Sequence, residues 1–188
     1  MSDAPLELVA VIGSLRAASV HRAVFDAATG LTPEGVTLRE VPVAEVPFYN
    51  GDVEDAGDPP SVAELKAMVA DADGLVFITP EYNGGVPAVT KNALDWLSRP
   101  YGSGAIAGKP VLIVAATPGR HDAPRVREAL TFNATVAGGR VQPETLGLSS
   151  ISRRMDDGVV TDTDARDEIT AALAAFVEFV RTPPPAED

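Results

Sequence analysis

The sequence contains no cysteine. Disulfides, thiolate metal sites and a cysteine nucleophile are thereby excluded, and a reducing compartment is the natural setting. No apolar run approaches the about 20 residues that a membrane span needs. The opening stretch carries Asp3 and Glu7 where a secretory signal would place positive charge, so the chain reads as soluble and cytoplasmic. The Asn133-Ala134-Thr135 sequon is then a chance match. Basic residues are also in short supply: 15 Lys and Arg face 27 Asp and Glu, a net charge of -12. A nucleic-acid backbone would be repelled, so nucleic acid is not an expected partner. A local anion site in such a chain would need backbone N–H groups and one or two arginines.

Several catalytic signatures are missing. There is no G-x-S-x-G elbow and no H-E-x-x-H zinc motif. The segment 102–110, GSGAIAGKP, imitates a phosphate-binding P-loop but fails it. Ser103 stands at a required glycine, Pro110 replaces the Ser/Thr that would hold magnesium, and Lys109 opens a strand instead of a helix.

What is present is a regular alternation of strand and helix. The apolar runs at 6–13, 74–80 and 109–117 read as buried strands. Residues 36–41 alternate as another strand, and 139–148 form a broken fifth. Helices are expected from Ser19 to Thr29 with Gly30 as C-cap, from Ser61 with Glu64 completing a capping box, from Pro87 to Leu97, from Ala123 to Ala137, and from Asp162 onward. Ile169, Leu173, Phe176 and Val180 would form the inner stripe of the last helix. The Pro, Gly and Asp-rich stretch 42–60 reads as a long loop. These elements predict one α/β domain over residues 1–182, with 183–188 as a frayed tail. Its five parallel strands would be doubly wound in the flavodoxin-like order 2-1-3-4-5, and ligands would lie beyond the carboxyl ends of strands one, three and four.

The loop after the first strand is Gly13-Ser14-Leu15-Arg16-Ala17-Ala18-Ser19. A strand-to-helix turn offers free N–H groups at a helix start, Ser14 and Ser19 add hydroxyls, and Arg16 can pair two phosphate oxygens. The G-x-G-x-x-G fingerprint is absent, so the loop suits one terminal phosphate better than a pyrophosphate. A plain capped turn with an exposed arginine is the alternative reading. The loop after the third strand, Thr79 to Gly85, combines glycines that permit close backbone approach with the aromatic face of Tyr82, and so suits a flat ring ligand.

The stretch Pro80-Glu81-Tyr82-Asn83, followed by Pro87, Lys91-Asn92-Ala93 and Asp95-Trp96, resembles the signature of the NADPH-dependent FMN reductase family. Gly13-Ser14-x-Arg16-x-x-Ser19 matches that family's phosphate loop. The resemblance runs over nearly the whole chain. It implies a flavodoxin-like fold, bound FMN, NADPH or NADH as donor, and an assembly of dimers. The implied acceptor is a quinone, a free flavin, an azo compound or a similar small molecule. Carried over by position, Ser14, Arg16 and Ser19 would hold the FMN phosphate, and Val20 and His21 would also belong to the cofactor site. Pro80, Glu81, Tyr82, Asn83 and Gly84 would line the flavin, and Thr117, Pro118 and Gly119 would meet its pyrimidine edge. Lys91, Asn92, Asp95 and Trp96 are expected to pack or contact a subunit, an exposed Trp96 suiting a homodimer or homotetramer face.

The sequence departs from the family pattern in two places. His21 replaces a customary asparagine, and Asp122 and Ala123 replace paired glycines. His21 reads as a packing or orienting residue and His121 as an exposed loop residue; neither is assigned to catalysis. The implied reaction is hydride transfer from nicotinamide to FMN, then release to the acceptor from one shared face, with ping-pong kinetics. The rival reading is a flavodoxin-like electron carrier that holds FMN without turning over a nicotinamide. A further rival is an unrelated phosphoester-binding or esterase enzyme on the same fold.

Overall fold

A computed structural model describes residues 4–183. The centre of the molecule is a parallel sheet in the order β2-β1-β3-β4-β5, with β6 also paired to β4. The strands are β1 (Leu6–Ile12), β2 (Val36–Glu40), β3 (Gly74–Thr79), β4 (Pro110–Ala116), β5 (Arg140–Val141) and β6 (Leu146–Leu148). β5 and β6 are the two pieces of the expected broken strand, and both run parallel to β4. The order 2-1-3-4-5 is the flavodoxin-like arrangement.

Side chains leave a strand alternately to its two faces, and the central strands are apolar on both. Leu8, Ala10 and Ile12 of β1, with Val76 and Ile78 of β3, join one core. They pack there against helices α1 (Val20–Thr29) and α6 (Thr163–Arg181). Val9, Val11, Leu75 and Phe77 face the opposite way and join a second core. That core is closed by α3 (Pro60–Asp71), α4 (Ala88–Leu97) and α5 (Pro124–Val136). Both faces are thus covered, as an all-parallel sheet requires.

Four expectations need correction. Stretch 42–60 is not wholly loop: α2 (Gly51–Asp55) forms there, and Asn50 caps it by accepting from Asp52 N at 2.9 Å. The Ser61–Glu64 capping box does not form. Pro60 has its φ preset for the first helical position, so α3 begins two residues earlier, with Pro59 instead of Ser61 as N-cap. Ser61 Oγ instead donates to the carbonyl of Glu45 at 3.0 Å. Gly30 is the C-cap of α1 but adopts right-handed geometry, φ -79, and not the left-handed cap that glycine usually provides. Trp96 is fully buried, so it is no exposed dimer face. Its ring lies edge-on to Tyr49, and Nε1 donates to the carbonyl of Pro47 at 2.8 Å.

The last helix begins as its acidic start suggests: Asp162 caps α6 by accepting from Ala165 N at 2.9 Å. Ile169, Leu173 and Phe176 are buried, while Val180 is only half-buried and Val177 takes the inner position. A small hairpin, β7 (Met155–Asp156) with β8 (Val159–Val160), lies ahead of α6 and had no sequence signal of its own. Of the expected tail, 184–188 fall outside the described residues.

Candidate functional site

Strands β1, β3 and β4 end side by side. Gly13 N donates to the Ile78 carbonyl at 2.8 Å and fixes the end of β1 against β3. There is no room for a side chain here: a Cβ on Gly13 would lie 2.3 Å from Thr90 Oγ1 and 2.8 Å from Thr79 Oγ1. Those two hydroxyls are themselves paired at 3.0 Å. The loops leaving the three strands enclose a cleft of about 470 Å³, a size ordinary for small-molecule sites.

One end of the cleft is built by the first loop. Ser19 is the N-cap of α1, with extended backbone and its Oγ accepting from Arg22 N at 3.1 Å. The Oγ hydrogen remains available to a ligand. Val20 and His21 occupy the first helical positions, where N–H groups have no partner within the helix. Ser14 and Arg16 complete this end. Arg16 is exposed, and among the described residues its guanidinium has no acceptor. A helix start, two hydroxyls and an unpaired guanidinium make a donor set suited to a phosphate.

His21 lies beneath that end and is only 4% exposed. Its Nε2 is 2.9 Å from the carbonyl oxygen of Ala116. A carbonyl only accepts, so Nε2 carries the proton. The bond ties the first turn of α1 to the end of β4. Burial pushes the imidazole pKa below its ordinary value, a shift partly opposed by the bond to Ala116.

The other end is built by the loops after β3 and β4. Tyr82-Asn83-Gly84-Gly85 is a tight turn closed by hydrogen bonds of 3.2 and 3.0 Å between Tyr82 and Gly85. Asn83 and Gly84 have φ of 53° and 72°, the pair of left-handed conformations that an Asn-Gly turn adopts readily. Pro80 is buried at the cleft floor, Tyr82 is 53% exposed at its mouth, and Glu81 stands between them. Glu81 Oε2 accepts from Val126 N at 3.2 Å. Helix α5 has no cap of its own, because its N-cap is Ala123 in left-handed conformation, followed by Pro124. Glu81 therefore acts as a cap from outside the helix.

The third loop is held from behind. Thr117 N donates to the Leu148 carbonyl at 2.9 Å, Ile151 N to the Thr117 carbonyl at 3.0 Å, and Ser150 N to the Gly119 carbonyl at 2.6 Å. Thr117 Oγ1 accepts from Gly119 N at 3.0 Å.

Residues 6–152 match the NADPH-dependent FMN reductase family. The chain belongs to this family. It is 36% identical over 186 residues to an NAD(P)H-dependent FMN reductase of Pseudomonas aeruginosa, covering 96% of this chain and 98% of that one. It is 35% identical over 184 residues to a quinone reductase of Escherichia coli K12, covering 94% and 96%. Among solved structures it resembles FerB, a flavoenzyme NAD(P)H:(acceptor) oxidoreductase from Paracoccus denitrificans. There the TM-score is 0.84 at 29% identity, with 94% of this chain and 97% of that one covered.

Ten of the expected site residues of this family member line the one cleft: Ser14, Arg16, Ser19, Val20, His21, Pro80, Glu81, Tyr82, Thr117 and Pro118. Asn83, Gly84 and Gly119 do not; the first two form the tip of the tight turn, and Gly119 lies behind Pro118 in the clamped third loop. Ala18, Ala116 and Ser152 line the cleft without having been expected. Ala18 and Ala116 adjoin expected residues. Ser152 comes from a 3-10 turn, Ile151–Arg153, that only the backbone bonds to the third loop bring here. The downstream part of the family signature serves packing. Asn92 Oδ1 accepts from Tyr49 N at 2.8 Å, its Nδ2 donates to the Pro47 carbonyl at 2.9 Å, and Lys91 pairs with Asp95 along the helix.

Proposed function

We propose that this protein holds FMN in the cleft at the carboxyl ends of β1, β3 and β4 and uses NADPH or NADH to reduce quinones or comparably small acceptors. One observation carries the reading. An anion-binding donor set at the start of α1 and a backbone-lined, partly aromatic end formed by Pro80, Tyr82 and Pro118 share a single cleft. That pairing of polar and apolar ends suits a flat ring joined to a terminal phosphate. The relatives named as FMN and quinone reductases support the same assignment.

Bound FMN would supply hydride acceptance from the nicotinamide and electron release to the acceptor. The chain's own work is positioning. Ser14, Arg16 and Ser19, with the N–H groups of Val20 and His21, would hold the phosphate. Pro80, Glu81 and Tyr82 would border the ring on one side and Thr117 and Pro118 on the other, with Asn83, Gly84 and Gly119 shaping those loops. No side chain is required as an acid or base.

The proposal extends to a single FMN-binding domain over residues 1–182, to a cytoplasmic location and to a homodimer or homotetramer. Tyr101, Phe132 and Val136, which are 88%, 68% and 67% exposed, supply the apolar surface that an assembly would cover. The deciding experiment is an absorption spectrum of protein incubated with FMN and desalted, followed by NADPH or NADH and then a quinone. Retained yellow colour that bleaches with the nicotinamide and returns with the quinone is expected, with parallel double-reciprocal lines in steady state. Colour that persists without bleaching would point to an electron carrier, and a colourless protein would defeat the FMN assignment.

A further inference from the structure

The net charge of -12 opposes the approach of any polyanion, and phosphorylated nicotinamide donors are polyanions. A site for one needs positive potential focused locally. The pairing of the basic side chains shows where that potential lies. Eleven of the fifteen lysines and arginines are committed to a partner. Arg22, Arg39, Lys66, Lys91, Arg127, Arg154 and Arg181 pair with carboxylates. Lys109, Arg140 and Arg166 donate to backbone carbonyls, and Arg99 lies over the ring of Tyr49. Among the described residues only Arg16, Arg120, Arg125 and Arg153 have side chains without such a partner, and all four are exposed.

These four are not scattered. Arg16 lines the cleft itself. Arg120 directly follows the Thr117–Gly119 loop. Arg125 lies across the Tyr82–Gly85 turn: a Cβ built on Gly84 would sit 3.3 Å from its Nη1. Arg153 follows Ser152, which lines the cleft. Arg16 and Arg120 thus belong to the loops after β1 and β4, Arg125 to the first turn of α5 and Arg153 to the 3-10 turn bonded to the third loop, while the cations elsewhere are paired. Arg16 is accounted for by the phosphate end of the cleft. The other three are not among the residues that line the cleft.

We propose that Arg120, Arg125 and Arg153 form a docking rim for the phosphate groups of the nicotinamide donor, its pyrophosphate and, in NADPH, the 2′-phosphate. The inference rests on the reductase reading and names residues that would select its donor. Guanidinium groups pair phosphate oxygens in a planar fork. Leaving them unpaired in the free protein spares the donor the cost of breaking an existing ion pair. In a chain this acidic, the rim would also raise the rate of encounter and make it sensitive to salt.

The test is steady-state kinetics of the FMN-loaded protein with NADPH and with NADH at fixed quinone, comparing wild type with R120Q, R125Q and R153Q. Each variant should raise the donor KM about three- to tenfold while kcat and FMN content stay unchanged. R39Q, whose arginine pairs with Glu7 at the far edge of the sheet, should leave KM unaltered. An increase confined to NADPH would assign the 2′-phosphate to the rim, and an increase with both donors would assign the pyrophosphate; either supports the proposal. Unchanged KM for both donors in all three variants overturns it. Direct titration of FMN-loaded protein with 2′,5′-ADP separates this from failure of the reductase reading. If wild type oxidises neither donor, binding of 2′,5′-ADP that weakens in the variants still supports the rim, and binding they do not alter overturns it.

Discussion

At the scale of the residue, Arg16 and His21 divide the work at the start of α1. Arg16 is exposed and unpaired among the described residues, so its removal should cost the fold little and the proposed phosphate contact much. Arg16→Ala should weaken FMN binding by about 1.5–3 kcal/mol, the range of a charge-assisted contact, with the melting temperature of the FMN-free protein nearly unchanged. Fluorescence titration with FMN checks this, and unaltered affinity would remove Arg16 from the site. His21 has the opposite profile, being buried and bonded to the Ala116 carbonyl. His21→Phe fills space but leaves that carbonyl without its donor, at a cost of about 1–3 kcal/mol in denaturant unfolding. The histidine also carries a pH signature. Its folded pKa is lowered by burial, so the unfolded chain takes up the proton first as pH falls. Its contribution is complete above the ordinary value of 6.5 and is lost as pH drops from there toward the folded pKa. Stability measured from pH 7.5 to 5 should fall with a component that disappears in His21→Phe.

At the scale of elements, the loop after β3 is coupled to the start of α5, which follows the loop after β4. Helix α5 begins with a left-handed alanine and a proline, a start that satisfies no N–H by itself. Glu81 supplies the missing acceptor from the loop after β3, and its negative charge suits the positive end of the helix. The same carboxylate thus stabilises α5 and holds the Pro80–Gly85 loop in place. Glu81→Ala should lower stability by about 0.5–2 kcal/mol and weaken FMN binding as the loop loosens. Glu81→Gln, which keeps an acceptor oxygen for Val126 N, should recover most of both; thermal unfolding and FMN titration together would show it. An alanine variant that unfolds earlier yet binds FMN normally would separate the cap from the site.

For the molecule as a whole, the acidic surface and the exposed apolar side chains point to different partners. Charge concerns what reaches the cleft. Apolar exposure concerns what covers α5 and the segment after α4, where Phe132 and Tyr101 project. If this surface is the homodimer face, Phe132→Asp should shift the mass measured by light scattering from dimer to monomer. A residue 68% exposed makes few contacts within its own chain, so the melting temperature of the separated protomer should change little. A dimer that survives this substitution would place the interface elsewhere.

Local patterns determined much of this protein without help. Runs such as GLVFIT are apolar at every position, and only a sheet covered on both faces buries them, so the parallel architecture was readable before any contact was known. That Ser14, Arg16 and Ser19 share one cleft was readable too, because they lie within one short segment at a strand end. Three-dimensional packing decided the rest. Ser152 reaches the cleft only through backbone bonds to a loop some thirty residues earlier. Glu81 caps a helix that begins 43 residues further along, so the Val126 N–H it satisfies has no signature near it in sequence. Trp96 suits either packing or a subunit face by its place in the sequence, and a carbonyl from the 42–60 stretch that accepts its N–H decides for packing. Sequence fixes what depends on neighbours along the chain, namely periodicity, caps and turn chemistry. Hydrogen bonds between distant loops depend on where the sheet sets the strand ends, and that is known only once the chain is folded.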